Sequence, residues 1–177
     1  MKKMKKLVLI ALVIMGAGFA SAQSKIAHLN SQEIMEAMPS YKEAVIKLQN
    51  FEKDGYTELQ TMKADFDNAV QIYSSKVQSG ALSPVLQQIE EEKLGKKEKD
   101  LMDRQQSLQT EMQTYSQELN QPILEKVEKA VKTVSDRGDY DYVFDVSTLM
   151  IHNGPDITKE VIAEIAKLET EAATTPK

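Results

Sequence analysis

The sequence predicts a predominantly helical α+β fold: a long antiparallel helical hairpin, forming a coiled-coil arm, on a small β-rich association domain. Two proline-free stretches of matching length flank one turn signal near the middle of the chain. Strand-like segments lie only near the two ends of the chain. The composition, with 7 Gly in 177 residues and 6% aromatic residues, is unlike that of sandwiches or nucleotide-binding α/β domains, which need frequent turns and bulky strands.

Composition and charge exclude several classes of function. The chain has no cysteine, which excludes a disulfide framework, a thiolate nucleophile and a Cys-ligated zinc site. Its net charge of −5 argues against a nucleic-acid binder that works by neutralising phosphates.

Residues 1–22 have the layout of a cleaved secretory signal peptide. Four lysines precede an apolar run over residues 7–20, and Ala20-Ser21-Ala22 forms an A-x-A cleavage site. A retained membrane anchor is the alternative, but ~14 apolar residues are short for a hydrocarbon core of ~30 Å. Cleavage before Gln23 leaves 18 Lys+Arg against 27 Asp+Glu, a net charge of −9. We therefore expect an exported, acidic protein that resides in the periplasm or is secreted.

The arm is predicted to span residues 40–121. Asn30 and Glu33 have capping-box spacing before a short helix that ends at Pro39, and Ser40 with Glu43 has the same spacing at the start of the long one. One apolar stripe follows at the three- and four-residue spacings of a coiled-coil seam: Leu48, Phe51, Gly55, Leu59, Met62, Phe66, Ala69 and Tyr73.

The tip of the arm is predicted at residues 79–84. Gly80 suits a helix C-terminus, Ser83 an N-cap and Pro84 the first position of the next helix. That helix carries a second seam, composed of Leu94, Leu101, Leu108 and Tyr115 with Gln105, Met112 and Leu119. Each helix is about 57–60 Å long at ~1.5 Å per residue. We expect Pro122 to bend or reset the second helix, because it lacks the amide that a continuous helix uses.

The head is predicted to combine residues 23–38 with residues 123–168. Residues 26–30 and 140–146 read as strands, residues 148–152 as a further strand, and Asp156 or Thr158 as the cap of a last helix. Residues 169–177 are expected to form a disordered tail. About 62 residues make a marginal core, so we expect oligomerisation through the strands. The candidate interface residues are Ile26, Leu29, Tyr142, Phe144, Val146, Leu149 and Ile151.

No motif in the sequence indicates catalysis. A P-loop built on Gly95-Lys96-Lys97 would need Gly at position 90, which is Glu, and Ser or Thr at position 97, so nucleotide-driven activity is not expected. His28 and His152 fit partly buried strand histidines better than metal ligands or acid-base groups. Aspartates cluster around Gly138, but a calcium loop needs Gly at its sixth position and Glu at its twelfth. Both are missing whichever aspartate is taken as the first position. We therefore predict no catalytic residue, no metal, no cofactor and no enzymatic activity.

Apolar residues outside the seams are the candidate binding surface of the arm. They either pad a wide seam or form an adaptable apolar lining for a nonpolar client. These client-contact candidates are Ile46, Tyr56, Ile72, Leu82, Val85 and Met102.

The order of these segments resembles the Skp/OmpH family of periplasmic chaperones. The matching segments are residues 25–31 (Lys-Ile-Ala-His-Leu-Asn-Ser), the tip Ser79-Gly80, and residues 140–145 through Asp156-Ile157-Thr158. The resemblance covers essentially the whole mature chain. It implies a homotrimer, with a small β-rich body and three helical tentacles around a cavity, that holds unfolded outer-membrane proteins without ATP.

The leading functional hypothesis is therefore an ATP-independent periplasmic holdase. Its partners are unfolded outer-membrane β-barrel proteins and further copies of itself, with no nucleic acid. The best-known family members are strongly basic, whereas the mature charge here is −9, so contact with membranes or lipopolysaccharide stays open. The alternative hypothesis is a structural coiled-coil spacer or adaptor that docks to an envelope complex through its hairpin tip.

Overall fold

The computed structural model describes residues 24–174, with side chains placed through residue 171. The predicted signal peptide, residues 1–22, lies outside the described residues. The elements in chain order are β1 (Ile26–Leu29), α1 (Ser31–Ala37), α2 (Pro39–Gln78), α3 (Pro84–Gly138), β2 (Tyr142–Asp145), a 3-10 turn (Val146–Thr148) and α4 (Thr158–Thr174). The predicted fold class is confirmed, because α2 and α3 form a long antiparallel hairpin beside a two-stranded sheet.

Of the two predicted helix N-caps, one is present in the structure and the other is not. The Asn30 side chain accepts a hydrogen bond from the amide of Glu33 (3.1 Å), which confirms the predicted cap of α1. The predicted Ser40 cap is wrong: α2 begins at Pro39, and its N-cap residue, Met38, makes no side-chain cap. Proline is well suited to this first helical position, since its missing amide would be unpaired there in any case.

The tip forms as the sequence predicts. Gly80 has a left-handed backbone (φ +67°), and the amide of Ala81 bonds the carbonyl of Lys76 at 3.1 Å, as in a Schellman motif. The Ser83 hydroxyl accepts from the amide of Leu86 (3.4 Å) and caps α3. The chain therefore reverses within five residues between α2 and α3.

The seam of the arm closes most tightly where Gly55 meets Leu108. Both residues are buried, and a Cβ on Gly55 would lie 2.9 Å from Leu108 Cδ2 and closer still to Cδ1. Nearby, the rings of Phe51 and Tyr115 pack with centroids 5.0 Å apart. The predicted seam residues are buried or half-buried, except Gln105, which is exposed. Gly55 thus permits a close helix–helix contact that a side chain would obstruct.

Of the two outcomes expected at Pro122, a bend or a reset of the helix, the reset is wrong. Helix α3 runs for 55 residues from Pro84 to Gly138 with Pro122 inside it. A proline removes one backbone hydrogen bond. Burial of Ile123 (3% exposed) and Ala130 (0%) just beyond it keeps the following turns packed on the head. Packing therefore outweighs the local defect.

The head is built on a parallel pairing of β1 with β2. Ala27 pairs with Val143 and His28 with Phe144, across more than a hundred residues of sequence. On the other side of β1, the His28 amide donates to the carbonyl of Pro155 and the His28 carbonyl accepts from Ile157, both at 2.9 Å. Strand β1, near the start of the chain, therefore pairs only with segments near its end: β2 on one side and residues 155–157 on the other.

The core of the head combines both ends of the chain with the base of the arm. Eleven buried apolar residues form one cluster: Ala27, Leu29, Ile34, Met38, Ala44, Ile123, Ala130, Val134, Ile157, Val161 and Ile165.

Two sequence expectations for the C-terminal part are wrong. Residues 148–152 form no strand; instead, the Asp145 side chain accepts from the amide of Ser147 (2.8 Å) and opens a 3-10 turn. The expected disordered tail, residues 169–177, is helical up to Thr174, and residues 175–177 lie outside the described residues. The first miss arises from a side-chain hydrogen bond that periodicity does not register.

Candidate functional site

Most of the predicted client-contact residues face solvent on the arm. Their exposed fractions are 56% for Ile46, 52% for Tyr56, 49% for Ile72, 69% for Val85 and 65% for Met102. These fractions are higher than those of the apolar seam residues, which are buried or half-buried. The sixth candidate, Leu82 in the tip turn, is half-buried. The arm therefore presents exposed apolar side chains on an otherwise charged and amide-rich surface.

A shallow groove of about 300 Å³ lies beside the Gly55–Leu108 contact. It is lined by Tyr56, Leu59, Gln105, Leu108, Gln109 and Met112, none of which is charged. Tyr56 is the only client-contact candidate in this lining. Gln105, which was expected in the seam, instead lines this groove and is exposed.

Arg104 joins the two helices of the arm next to this groove. Its Nε donates to Glu58 Oε2 of α2 (2.9 Å), and its Nη1 donates to Glu111 Oε2 of α3 (3.0 Å). Hydrogen bonds to Glu58 and then Glu111 raise the pKa of the Arg104 guanidinium. The Arg104 side chain is only 22% exposed. The sequence did not predict this contact between the helices. Arg104 directly precedes Gln105, which was wrongly placed in the seam.

Nearer the tip, the Tyr73 hydroxyl donates to Glu91 across the hairpin. This hydrogen bond is the first cause of a raised pKa for Tyr73 and a lowered pKa for Glu91. No residue between Gly55 and Leu108 along the chain is buried. The distal half of the arm is therefore held by half-buried seam residues and exposed polar pairs.

The candidate interface residues of the head fall into three groups. Ile26 (50% exposed), Tyr142 (55%), Phe144 (41%) and Ile151 (78%) face solvent. Val146 and Leu149 are half-buried, whereas Leu29 is 7% exposed and packs in the core of its own chain. The rings of Tyr142 and Phe144 stack on the exposed face of β2, 6.3 Å apart. The sequence analysis missed Met150, which is fully exposed beside Ile151.

Asp145 connects β2 to α1. Its Oδ2 accepts from the amide of Ser31 (3.1 Å), and its Oδ1 accepts from the amide of Ser147 (2.8 Å). These hydrogen bonds, the one to Ser31 first, lower the pKa of Asp145 to about 2. The carboxylate therefore caps the first turn of α1 and shapes the turn after β2 at once.

Glu169 joins α4 to the base of the arm. Its Oε1 accepts from the Ser40 hydroxyl (2.5 Å) and from Lys126 Nζ (3.1 Å). Burial alone would raise the pKa of Glu169, but the hydrogen bonds from Ser40 and Lys126 lower it overall. This carboxylate lies at the N-terminus of α2, which has no side-chain cap of its own. It complements the positive end of that helix dipole.

The two histidines meet in the head. The rings of His28 and His152 lie 5.0 Å apart at 55°, and His28 is buried. Nearby Asp156 accepts from the Thr158 amide (2.9 Å) and hydroxyl (2.5 Å), which together lower its pKa. Within residues 24–174, no group of three or more metal-ligating side chains comes together. No helix in this part of the chain is long and apolar enough to span a membrane.

The fold and surface define a class: a long helical hairpin on a small head, with apolar side chains exposed to solvent on both. A family model described as "Outer membrane protein (OmpH-like)" matches residues 25–165. The chain belongs to the OmpH-like family.

Proteins with a curated description extend this assignment. The chaperone protein Skp of Yersinia enterocolitica is 30% identical over 158 residues, covering 84% of this chain and 91% of the relative. The chaperone protein Skp of Pectobacterium atrosepticum is 27% identical over 164 residues, covering 88% and 94%. A Caulobacter crescentus structure described as an OmpH-like outer membrane chaperone superposes with a TM-score of 0.72 at 16% identity, covering 84% of this chain and 88% of that one. At this identity the structural likeness concerns the fold alone.

Proposed function

We propose that this protein is an ATP-independent holdase chaperone of the periplasm. Three copies join through their heads, and their arms enclose unfolded outer-membrane proteins and prevent their aggregation. Family membership and relatives named chaperone protein Skp support this proposal. The observation that carries it is the set of apolar side chains exposed along a charged helical arm.

The physical requirements of a holdase match the arm. Isolated exposed residues such as Ile46, Tyr56 and Met102 each offer a weak apolar contact, and the unbranched thioether of Met102 adapts to different partners. Many weak contacts around one cavity hold a client by effective concentration and still release it. No nucleotide is required for such a cycle.

Assembly through the head is proposed at the face formed by β1 and β2. Ile26, Tyr142 and Phe144 are exposed there, and among the described strands β2 pairs only with β1. A strand edge with exposed apolar residues is a template for association. Ile151 and the neighbouring Met150 extend this surface, whereas Leu29 is excluded from it because its own chain buries it.

The test is suppression of aggregation of a urea-unfolded outer-membrane β-barrel protein after dilution, without nucleotide. The mature protein is expected to suppress aggregation at about stoichiometric trimer. A triple variant, Ile46→Asp, Tyr56→Asp and Met102→Asp, is expected to need at least about fivefold more protein, since each change removes apolar contact area.

The matched control adds the same three charges at exposed glutamines: Gln49→Asp, Gln60→Asp and Gln106→Asp. We expect it to behave like the parent protein. Equal loss in both triple variants would assign the effect to charge rather than apolar contact. No suppression by the parent at any ratio would refute the holdase proposal.

A further inference from the structure

The loop between the 3-10 turn and α4 contains the sequence Asn153-Gly154, the only Asn-Gly pair in the chain. The side-chain amide of an asparagine is open to attack by the backbone nitrogen of the next residue. Glycine hinders this attack least, because it has no Cβ. Asparagine is one of the thermolabile residues of proteins. The pair is therefore a candidate site of spontaneous modification wherever the fold leaves both groups accessible.

The fold leaves both groups accessible. Asn153 and Gly154 are exposed and lie outside the helices and strands. Among the described residues, no hydrogen bond involves the side-chain amide of Asn153 or the backbone amide of Gly154. The backbone hydrogen bonds of this loop lie on either side of the pair, at the Leu149 amide and the Pro155 carbonyl. The Gly154 nitrogen can thus approach the Asn153 side chain without breaking a hydrogen bond.

The other asparagines are in protected positions. All five asparagines of the chain lie in the part that the structure describes. The Asn30 side chain accepts a hydrogen bond from a backbone amide of α1 as its cap. Asn50, Asn68 and Asn120 lie inside α2 or α3, where the amide of the next residue belongs to the helical hydrogen-bond ladder. Asn153 is therefore the asparagine that the fold exposes to attack.

We propose that Asn153 deamidates spontaneously and thereby adds a charge to the association surface of the head. The Gly154 nitrogen attacks Asn153 Cγ, the Cγ–Nδ2 bond breaks, and ammonia leaves with the proton of the Gly154 amide. The product is a five-membered succinimide ring. Water then adds to either ring carbonyl and opens the ring to aspartate or to isoaspartate. The net change is the loss of ammonia and the gain of water, so the reaction needs no oxidant and no cofactor.

The new carboxylate lies at a sensitive place. Asn153 is two residues from Ile151, which is 78% exposed and extends the surface proposed for assembly. Isoaspartate also inserts a methylene group into the backbone between His152, whose ring packs on His28, and Pro155, whose carbonyl accepts from the His28 amide. Each chain of a homo-oligomer brings the same charge to the interface, and like charges across an interface are unfavourable. This consequence rests on the proposed assembly through the head, whereas the reaction itself does not.

Peptide mapping by mass spectrometry after prolonged incubation of the mature protein tests the reaction. We expect Asn153 to convert to aspartate and isoaspartate, faster at mildly alkaline than at mildly acidic pH, because the attacking nitrogen must lose its proton. The other four asparagines should stay amides in the same digest. Asp54-Gly55 can form the same succinimide, but α2 holds the Gly55 amide, so no isoaspartate is expected there.

Gly154→Ala is the matched variant for the chemistry. A Cβ at Gly154 would lie 3.8 Å from the Ile26 carbonyl oxygen and 3.9 Å from His28 Nδ1, which are ordinary contact distances. Its backbone is not left-handed, so the head should accept alanine without strain. The added methyl group hinders the attack, and deamidation of Asn153 is expected to slow at least about fivefold.

Sedimentation tests the effect on assembly. Asn153→Asp carries the product charge from the start and is expected to raise the dissociation constant of the assembly at least about tenfold. Asn50→Asp adds the same charge at an exposed position of the arm and should leave that constant unchanged. Incubated parent protein should assemble more weakly than fresh protein, whereas incubated Gly154→Ala should not.

Two results would overturn the proposal. One is an Asn153 amide that survives incubation as long as the helical asparagines, or that reacts equally fast in Gly154→Ala. The other is an Asn153→Asp variant that assembles as tightly as the parent. If the parent protein itself does not associate, the proposed assembly fails and so does the effect on it, while peptide mapping still decides whether Asn153 reacts.

Discussion

The two glycines inside the arm should respond to the same substitution in opposite directions. Gly55 lies against Leu108, whereas nothing lies within 4 Å of a Cβ added at Gly95. Alanine in a helix interior is more favourable than glycine by about 1 kcal/mol. Gly95→Ala is therefore expected to stabilise the protein by about 0.5–1 kcal/mol.

Gly55→Ala gains the same helix propensity but must displace a buried side chain. The new Cβ would lie 2.9 Å from Leu108 Cδ2, with Cδ1 closer still, and overpacking of this kind costs about 1–3 kcal/mol. The net change is a destabilisation of about 0–2 kcal/mol. The two alanine variants should thus differ by about 1–3 kcal/mol in the free energy of unfolding, measured by urea titration followed by circular dichroism.

A double-mutant cycle tests whether Leu108 is the cause. Leu108→Ala alone should cost about 2 kcal/mol or more, but less in the Gly55→Ala background, where the added methyl group occupies part of the vacated space. A coupling energy of about 0.5–3 kcal/mol is expected. If Gly55→Ala stabilises the protein as much as Gly95→Ala, the helices do not meet at Gly55 and the packing described for the arm is wrong.

Three further predictions concern the head and the base of the arm. Because the pKa of Asp145 falls from 3.8 to about 2 on folding, its contribution is complete above pH 4 and is lost as the pH falls through about 2. After solvent screening, Asp145→Asn should lower the free energy of unfolding by about 1–2 kcal/mol at pH 7, with the difference vanishing near pH 2; a constant difference would contradict this. Glu169→Gln should cost about 1–2 kcal/mol in thermal unfolding and Glu128→Gln, on the exposed side of α3, almost nothing, whereas equal effects would contradict the contact at the base of the arm. Phe144→Asp should yield monomers by sedimentation, and an unchanged mass would place the interface elsewhere.

Local signals in the sequence predicted the arm well. The tip turn depends on Gly80, Ser83 and their immediate neighbours, and the seam depends on spacings of three and four residues. Both are properties of short stretches of chain, and both are found in the structure. The exposure of Ile46, Tyr56 and Val85 also follows from their positions off the seam.

Contacts between residues far apart in the chain could not be predicted from such local signals. The pairing of β1 with β2 joins residues more than a hundred positions apart, and one sequence holds no signal for its parallel register. Glu169 lies in a stretch that was predicted to be a disordered tail, yet it accepts a hydrogen bond from Ser40, 129 positions earlier in the chain. The alternating pattern predicted a strand through residue 146, but β2 ends at Asp145, whose side chain accepts a hydrogen bond from the amide of Ser147.

In the proposed holdase, arms joined by their heads hold an unfolded client by non-covalent contacts alone. The most direct measurement is the mass of the mature protein by analytical ultracentrifugation, alone and with one urea-unfolded outer-membrane protein after dilution, without nucleotide. We expect a trimer when the protein is alone, and a soluble complex of three chains with one client after dilution of the unfolded protein. A monomer or dimer that leaves the client to aggregate would contradict this expectation.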